Sequence, residues 1–186
     1  MSAVQNWADR IAQELTALAS AIPASEADRL AEALHAAPAV FVAGAGRSGL
    51  MGRAFAMRLM HLGVKAHVVG ETSTPGMQAG DMLVLGSGSG ETASLVAMTG
   101  KAKQLGGTVA LVTTQPKSTL ASQADLVIEL AASQKTDDAP ERLSVQPMGS
   151  LFEQGLLLCY DAVILRLMEL RELDGKTMYG SHANLE

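Results

Sequence analysis

The chain has 186 residues, of which 48% are hydrophobic and 18% are charged, and its formal net charge is −5. This length suits one domain with a substantial core, and a negative balance without a run of Lys or Arg argues against a nucleic acid or a membrane surface as partner. A single cysteine, Cys159, excludes an internal disulfide framework. It suits a reducing compartment, and Asp9 and Arg10 near the beginning are unlike a secretory signal, so we expect a cytoplasmic protein.

Two helices are predicted ahead of any strand. Apolar residues recur at helical spacing over the first 22 residues, and Pro23 then ends that helix. Ser25 and Asp28 resemble a capping box, which predicts a second helix that ends near His35. We expect this helical pair to occupy residues 1–37.

A different pattern begins at Ala39, where short apolar runs bounded by turn residues alternate with segments of helical periodicity. Such alternation predicts right-handed crossovers and an α/β fold, a doubly wound five-stranded parallel sheet in a flavodoxin-like three-layer sandwich. The predicted strands cover residues 40–43, 66–69, 82–85, 109–113 and 126–130, and the predicted helices among them begin near residues 48, 91 and 118.

The last part of the chain combines a polar segment with a long apolar helix. Residues 133–142 are predicted to form an exposed loop that could act as a mobile lid. The helix predicted for residues 149–170 is apolar over most of its circumference, so the domain, a partner subunit or both should bury it. We therefore predict a single domain over residues 1–186, with the sheet core in 38–132 and the C-terminal helix and tail in 143–186.

The first glycine-rich motif is Gly44-Ala45-Gly46-Arg47-Ser48-Gly49, which lies between a predicted strand and a predicted helix. It satisfies the GxGxxG pattern of dinucleotide-binding domains, and Glu71 follows the next strand, where an acidic residue would bind a ribose. A dehydrogenase normally needs a second domain for its substrate, however, and the length leaves no room for one.

The second motif, Gly86-Ser87-Gly88-Ser89-Gly90-Glu91-Thr92, also stands between a strand and a helix. Its glycines let successive amides converge, the helix N-terminus adds partial positive charge, and three hydroxyls can donate hydrogen bonds. Because it lacks the lysine of a nucleoside-triphosphate loop, it suits a monophosphate ester. The alternative is a polar turn with helix-capping serines.

Taken together, the GxGxSG turn and the SGSGET loop resemble those of the sugar isomerase (SIS) domain family. Residues 144–154 (SVQPMGSLFEQ) and 182–186 (HANLE) are similar to hallmark segments of its 6-phospho-3-hexuloisomerase branch. One departure is Ser181, where this resemblance predicts an arginine.

The resemblance implies interconversion of D-arabino-hex-3-ulose 6-phosphate and fructose 6-phosphate in the ribulose monophosphate pathway of formaldehyde fixation. It also implies a homotetramer with sites near subunit interfaces. An isomerisation by proton transfer demands no metal ion and no redox cofactor, so we expect neither. The residues that it assigns to the phosphate are Ser48, Ser87, Gly88, Ser89 and Thr92. Gly46 and Arg47 would be further substrate contacts, although an exposed arginine at a helix start is the alternative for Arg47.

Moving a carbonyl from C3 to C2 requires a base that takes the proton from C2, passage through a cis-enediolate, and return of a proton to C3. Glu153, expected in the opening turn of the last helix, is the first candidate, although it could simply stabilise that helix start. His61 and His182 are the imidazole candidates. His61 could instead cap its helix, and His182 could be an exposed residue of the tail or reach a neighbouring subunit's site.

Two further alternatives share the phosphate loop. One is a non-catalytic sugar-phosphate sensor, although no basic helix-turn-helix segment accompanies it here. The other is an aldose-ketose isomerase that acts on a related phosphate such as arabinose 5-phosphate.

Overall fold

The computed structural model describes residues 2–132 and 144–184. Two helices come first. Strands and helices then alternate up to a long helix and a short one, except that the third strand follows the second with no helix between them. The elements are α1 (Ala3–Ser20), α2 (Ala24–Ala36), β1 (Val40–Gly44), α3 (Gly46–His61), β2 (Ala66–Val68), β3 (Met82–Gly86), α4 (Ala93–Gln104), β4 (Thr108–Thr113), α5 (Thr119–Gln123), β5 (Leu126–Glu129), α6 (Ser150–Leu170) and α7 (Gly175–Tyr179).

Within the described residues, five strands form one sheet in the order β2-β1-β3-β4-β5, and every neighbouring pair is parallel. The register places Val42 of β1 opposite Val68 on one side and Val84 on the other. The predicted doubly wound parallel sheet is therefore confirmed. Its inner strands are continuous apolar runs because helices cover both faces.

Two hydrophobic clusters lie on opposite faces of this sheet, and β1 contributes to both by alternation. Val40 and Val42 belong to the larger cluster, together with buried residues of α1, α2, α3 and α6. Phe41 and Ala43 belong to the smaller one, with residues of α4 and α5. The long helix α6 is thus part of the core, as its apolar circumference predicts.

The capping box predicted at Ser25 and Asp28 is wrong. Helix α2 begins two residues earlier than that box implies, at Ala24, with Pro23 as its N-cap and no side-chain cap. Pro23 has an extended conformation, and its carbonyl accepts the first hydrogen bond of the helix, from the Ala27 amide at 3.1 Å. A capping box does occur at α1, where Ser2 and Gln5 bond reciprocally.

Other differences concern element ends. Helix α3 begins at Gly46 rather than near residue 48, α4 begins at Ala93 rather than near residue 91, and the short α7 was not predicted. The predicted lid, 133–142, lies outside the described residues, and the single-domain boundaries stay a prediction. No helix in the two described segments combines the length and the apolarity needed to cross a membrane.

Candidate active site

The two glycine-rich motifs meet at the carboxyl edge of the sheet. Strands β1 and β3 are direct neighbours, with Gly44 paired to Gly86 at their ends. Helix α3, which follows β1, packs on the face of the larger cluster, whereas α4, which follows β3, packs on the other face. The crevice where successive connections diverge in this way is the usual ligand site of open α/β sheets.

The turn after β1 requires glycine at position 49, because a Cβ there would lie 2.5 Å from the Gly44 carbonyl oxygen. This close approach places the first turn of α3 directly against the strand end. Ser48 is buried in that turn, and the Arg47 side chain is 53% exposed. Gly46 starts the helix with a φ of +57°, a conformation that favours glycine.

The loop after β3 is fixed by hydrogen bonds from several directions. The Ser87 hydroxyl accepts from the Gly90 amide at 3.2 Å. The Gly88 carbonyl accepts from the hydroxyls of Thr113 (3.1 Å) and Thr114 (2.9 Å) at the end of β4. A loop held by neighbouring strand ends is preorganised for a ligand.

Its remaining polar side chains stand where an anion could bind. Ser89 is exposed, and its hydroxyl accepts from the Glu91 amide at 3.3 Å. Thr92 is half-buried at the N-cap of α4. Since a serine hydroxyl that accepts an amide keeps its own hydrogen, Ser87 and Ser89 can still donate, and the start of α4 adds partial positive charge. These groups suit a phosphate ester.

The first turn of α6 contacts both motifs. A Cβ on Gly88 would lie 3.2 Å from Phe152 Cδ1, so the Phe152 ring packs directly on the loop after β3. Glu153 Oε2 lies 2.9 Å from Arg47 Nη1, and the same nitrogen donates to Ser150 Oγ at 3.0 Å. Glu153 is only 3% exposed. A buried carboxylate therefore lies beside the arginine of the first motif and next in sequence to the ring that covers the second.

Within one chain, the two histidine candidates lie away from Arg47 and Glu153. His61 is the last residue of α3, roughly 20 Å along the helix axis from Arg47 at its start. Its ring stacks on that of His182, with centroids 5.6 Å apart. Burial lowers the pKa of His61, and the charges of Arg58 and His182 lower it further. The structure brings the two histidines together but not to Glu153, and their catalytic roles stay a prediction.

Glu91 has a structural role in another helix. Its Oε1 accepts from the Thr119 amide, the first residue of α5, at 2.8 Å, and this bond lowers the pKa of the carboxyl. This carboxylate therefore stabilises the start of α5.

Glu71, which the dinucleotide pattern would assign to a ribose, and the single cysteine both have structural roles. The Glu71 carboxylate forms an ion pair with Arg53 at 2.5 Å. Cys159 is buried in α6, and burial raises the pKa of its thiol to about 11. A thiol with such a pKa is a packing residue rather than a nucleophile.

Sequence reasoning missed Ser150 and Glu14. Ser150 connects Arg47 to the loop before α6, since its hydroxyl also donates to the Pro147 carbonyl at 2.8 Å. Glu14 binds that loop from α1. A signal for Glu14 existed, because it follows Ile11 by three residues and precedes Leu18 by four, which puts an acid in the apolar stripe of the helix.

Comparison with known proteins identifies the fold family. The SIS domain model matches residues 33–158, which include both glycine-rich motifs and the first turn of α6. The chain belongs to the SIS domain family. The family expected from the GxGxSG turn and the SGSGET loop is thus confirmed.

Similar SIS-domain proteins cover nearly the whole chain. The 3-hexulose-6-phosphate isomerase of Bacillus subtilis is 53% identical over 176 residues, which are 95% of each chain. That of Mycobacterium gastri is 48% identical over 147 residues, 79% of this chain and 73% of the relative. A crystal structure from Methanococcus jannaschii, from which a 3-hexulose-6-phosphate isomerase function was inferred, superposes with a TM-score of 0.83 at 34% identity and covers 96% of this chain and 98% of that one.

Proposed function

We propose that this chain is an isomerase that interconverts D-arabino-hex-3-ulose 6-phosphate and fructose 6-phosphate. The observation that carries the proposal is the buried Glu153, ion-paired to Arg47 and adjacent to the ring that packs on the phosphate loop. A sensor module needs only the loop, whereas a positioned acid beside it suits proton transfer. The relatives at 53% and 48% identity carry the name of this activity.

The phosphate would bind at the diverging strand ends. The hydroxyls of Ser87, Ser89 and Thr92 would donate to its oxygens from the loop after β3, and Ser48 would do so from the first turn of α3. Gly88 contributes backbone, which the Thr113 and Thr114 hydroxyls hold through its carbonyl. Binding at this end leaves the carbon chain directed toward the first turn of α6, because Phe152 packs against the same loop.

Glu153 would then move one proton between adjacent carbons. Its carboxylate takes the proton from C2 of the 3-ketose, and the C2–H electron pair forms the C2=C3 double bond of a cis-enediolate while O3 takes the negative charge. The O2 proton passes to O3, which moves the negative charge to O2. The O2 electron pair then forms the carbonyl at C2, the C2=C3 electron pair takes the proton of the carboxylic acid at C3, and Glu153 is again a carboxylate. One base on one face of the enediolate serves both steps, and atoms and charge balance.

Arg47 lies beside the group that does this chemistry. Its guanidinium is 2.9 Å from Glu153 and half-exposed, so it can interact with an anionic enediolate without leaving the site. Donors placed where negative charge develops lower the barrier, and about two or three kcal/mol is the usual order for one such donor. Gly46 would let the backbone approach the sugar at the same turn.

The assembly and the cellular context are part of the same proposal. We propose a homotetramer in which His182 or His61 of one subunit reaches the sugar of another, since these rings lie far from Glu153 within one chain. We also propose a cytoplasmic role in the ribulose monophosphate pathway of formaldehyde fixation. The reduced, buried Cys159 is compatible with that compartment.

The test is a coupled assay. Hexulose 6-phosphate is generated from formaldehyde and ribulose 5-phosphate, and the appearance of fructose 6-phosphate is measured with and without a chelator. We expect the chain to form fructose 6-phosphate in both cases, and Glu153→Gln to lower turnover by a factor of about 10² to 10⁴. The exposed Glu169→Gln in the same helix is the matched control and should leave turnover unchanged.

Three results would contradict the proposal. Binding of fructose 6-phosphate without turnover would favour a sensor. Turnover of arabinose 5-phosphate with none of hexulose 6-phosphate would favour the aldose-ketose alternative. Full activity of Glu153→Gln would remove the proposed base.

A further inference from the structure

Glu14 of α1 binds the segment that precedes α6 through three donors. Its Oε2 accepts from the Ser144 hydroxyl at 2.6 Å and from Gln146 Nε2 at 3.1 Å, and its Oε1 accepts from the Val145 amide at 2.7 Å. Ser144 and Gln146 are buried polar side chains. One carboxylate thus binds three consecutive residues that lie 130 to 132 positions away in the sequence.

The segment bound by Glu14 leads directly to the acid of the site. After Gln146, the Pro147 carbonyl accepts from the Ser150 hydroxyl at 2.8 Å, and Ser150 accepts from Arg47. The Glu153 amide donates to the Gly149 carbonyl at 3.0 Å. The position of the first turn of α6, and with it the Arg47–Glu153 pair, therefore depends on where residues 144–149 are held.

This short segment also contains a strained residue. Met148 is 68% exposed and has a φ of +56°, in the left-handed region that costs a side-chain-bearing residue about 1–3 kcal/mol. Such a conformation persists only where surrounding contacts impose it. On one side of Met148 those contacts are the bonds to Glu14, and on the other they are the bonds of Ser150.

Helix α1, which carries Glu14, is itself packed closely against α6. Leu18, one turn after Glu14, packs so closely on α6 that a Cβ on Gly155 would lie 2.7 Å from Leu18 Cδ1. Burial raises the pKa of the Glu14 carboxyl, but the bonds from Ser144, Val145 and Gln146 outweigh it, so that the pKa is lowered and the ionised, acceptor-only form is favoured.

We propose that Glu14 is a positioning residue for the isomerisation: it fixes residues 144–146 and thereby aims Ser150, Arg47 and Glu153 at the sugar. The inference rests on the proposed function and adds to it a residue of the N-terminal helix that contacts neither phosphate nor base. It predicts an effect on turnover that is separate from phosphate binding, because the loop at 87–92 has its own supports on β4.

The substitution that tests this is Glu14→Gln, which keeps the shape of the side chain. A glutamine must turn its NH₂ group toward donors of the segment whichever way the amide is oriented, so at least one of the three bonds is lost. We expect kcat to fall about tenfold while KM and the affinity for fructose 6-phosphate stay within twofold. Asp9→Asn, an exposed acid of the same helix, is the control and should change neither.

A double substitution separates positioning from general destabilisation. If Glu14 acts through Ser150, Glu14→Gln combined with Ser150→Ala should lose no more kcat than the more severe single variant. A combined loss equal to the product of the two single losses would contradict the proposed route. A rise in KM with unchanged kcat would contradict it as well.

Hydrogen exchange gives a readout that needs no catalysis. Glu14→Gln should speed exchange of the amides at residues 144–153 at least tenfold and leave those at 87–92 unchanged, and equal protection in both proteins would overturn the proposal. Should the unsubstituted chain fail to convert hexulose 6-phosphate, the proposed function would fall, and the exchange result alone would decide whether Glu14 fixes the segment.

Discussion

Gly90, in the middle of the loop after β3, is a position where an added methyl group has a calculable cost. Its φ is +65°, and a Cβ there would lie 1.9 Å from Ser118 Oγ and 2.4 Å from Ser118 Cβ. Alanine in the left-handed region costs about 1–2 kcal/mol. Ser118 must also move, and it is the N-cap of α5, where its hydroxyl accepts from the Ala121 amide at 3.3 Å. Loss of that cap adds about 0.5–2 kcal/mol.

We therefore expect Gly90→Ala to lower the free energy of unfolding by about 1.5–4 kcal/mol, the sum of these two contributions. Two other glycines allow the backbone cost to be measured apart from the loss of the Ser118 cap. Gly46 has a φ of +57° with open space around a Cβ, so Gly46→Ala should cost only the backbone contribution of about 1–2 kcal/mol. Gly100 lies inside α4 with open space, and Gly100→Ala should stabilise the fold by about 0.4–1 kcal/mol.

The measurement is urea unfolding of the three variants beside the unsubstituted chain, together with KM for hexulose 6-phosphate. Because Gly90 lies between Ser89 and Thr92, its substitution should also raise KM, whereas Gly100→Ala should not. Equal stability of Gly90→Ala and Gly100→Ala would refute this expectation, and so would a Gly46→Ala protein that is less stable than Gly90→Ala.

Three further predictions follow from the same structure. Ser89→Ala should raise KM about 10- to 100-fold with little change in kcat, since a hydrogen bond to a charged group contributes about 1.5–3 kcal/mol; an unchanged KM would exclude Ser89 from the phosphate site. His61 has a lowered pKa, so its contribution to stability is complete above its ordinary value of 6.5 and is lost as the pH falls below it. His61→Gln should flatten the decline in unfolding free energy between about pH 7 and pH 5, and an identical slope would count against this. Cys159, with a pKa near 11 against an ordinary 9.0, should react with a thiol reagent at about pH 8 at least about 100-fold more slowly in the folded than in the unfolded protein.

The local sequence predicted the sheet and both motifs because each leaves a short-range signal. Buried parallel strands are continuous apolar runs, as in β1 and β3, and their glycine-bounded ends predicted where the loops would lie. Since carboxyl ends of parallel strands share one edge, the meeting of the turn at Gly44 and the loop at Ser87 follows from the order of the predicted strands.

Contacts between residues that are far apart in the sequence could not be predicted from such local patterns. Arg47 and Ser150 are 103 positions apart, and only the docking of α6 on α3 brings them together. Helical periodicity also does not predict that His61 lies near His182 and far from Glu153. The position of His182 depends on the path of the chain after α6. The hydrogen bond of Glu91 could not be predicted for the same reason, because its partner, Thr119, lies 28 positions away in α5.

The most direct test is a crystal structure with bound fructose 6-phosphate. We predict phosphate oxygens within about 3.2 Å of the hydroxyls of Ser87, Ser89 and Thr92, with C2 and C3 of the sugar facing the carboxylate of Glu153. A phosphate bound away from the end of β3, or a sugar whose C2 and C3 point away from α6, would contradict the account.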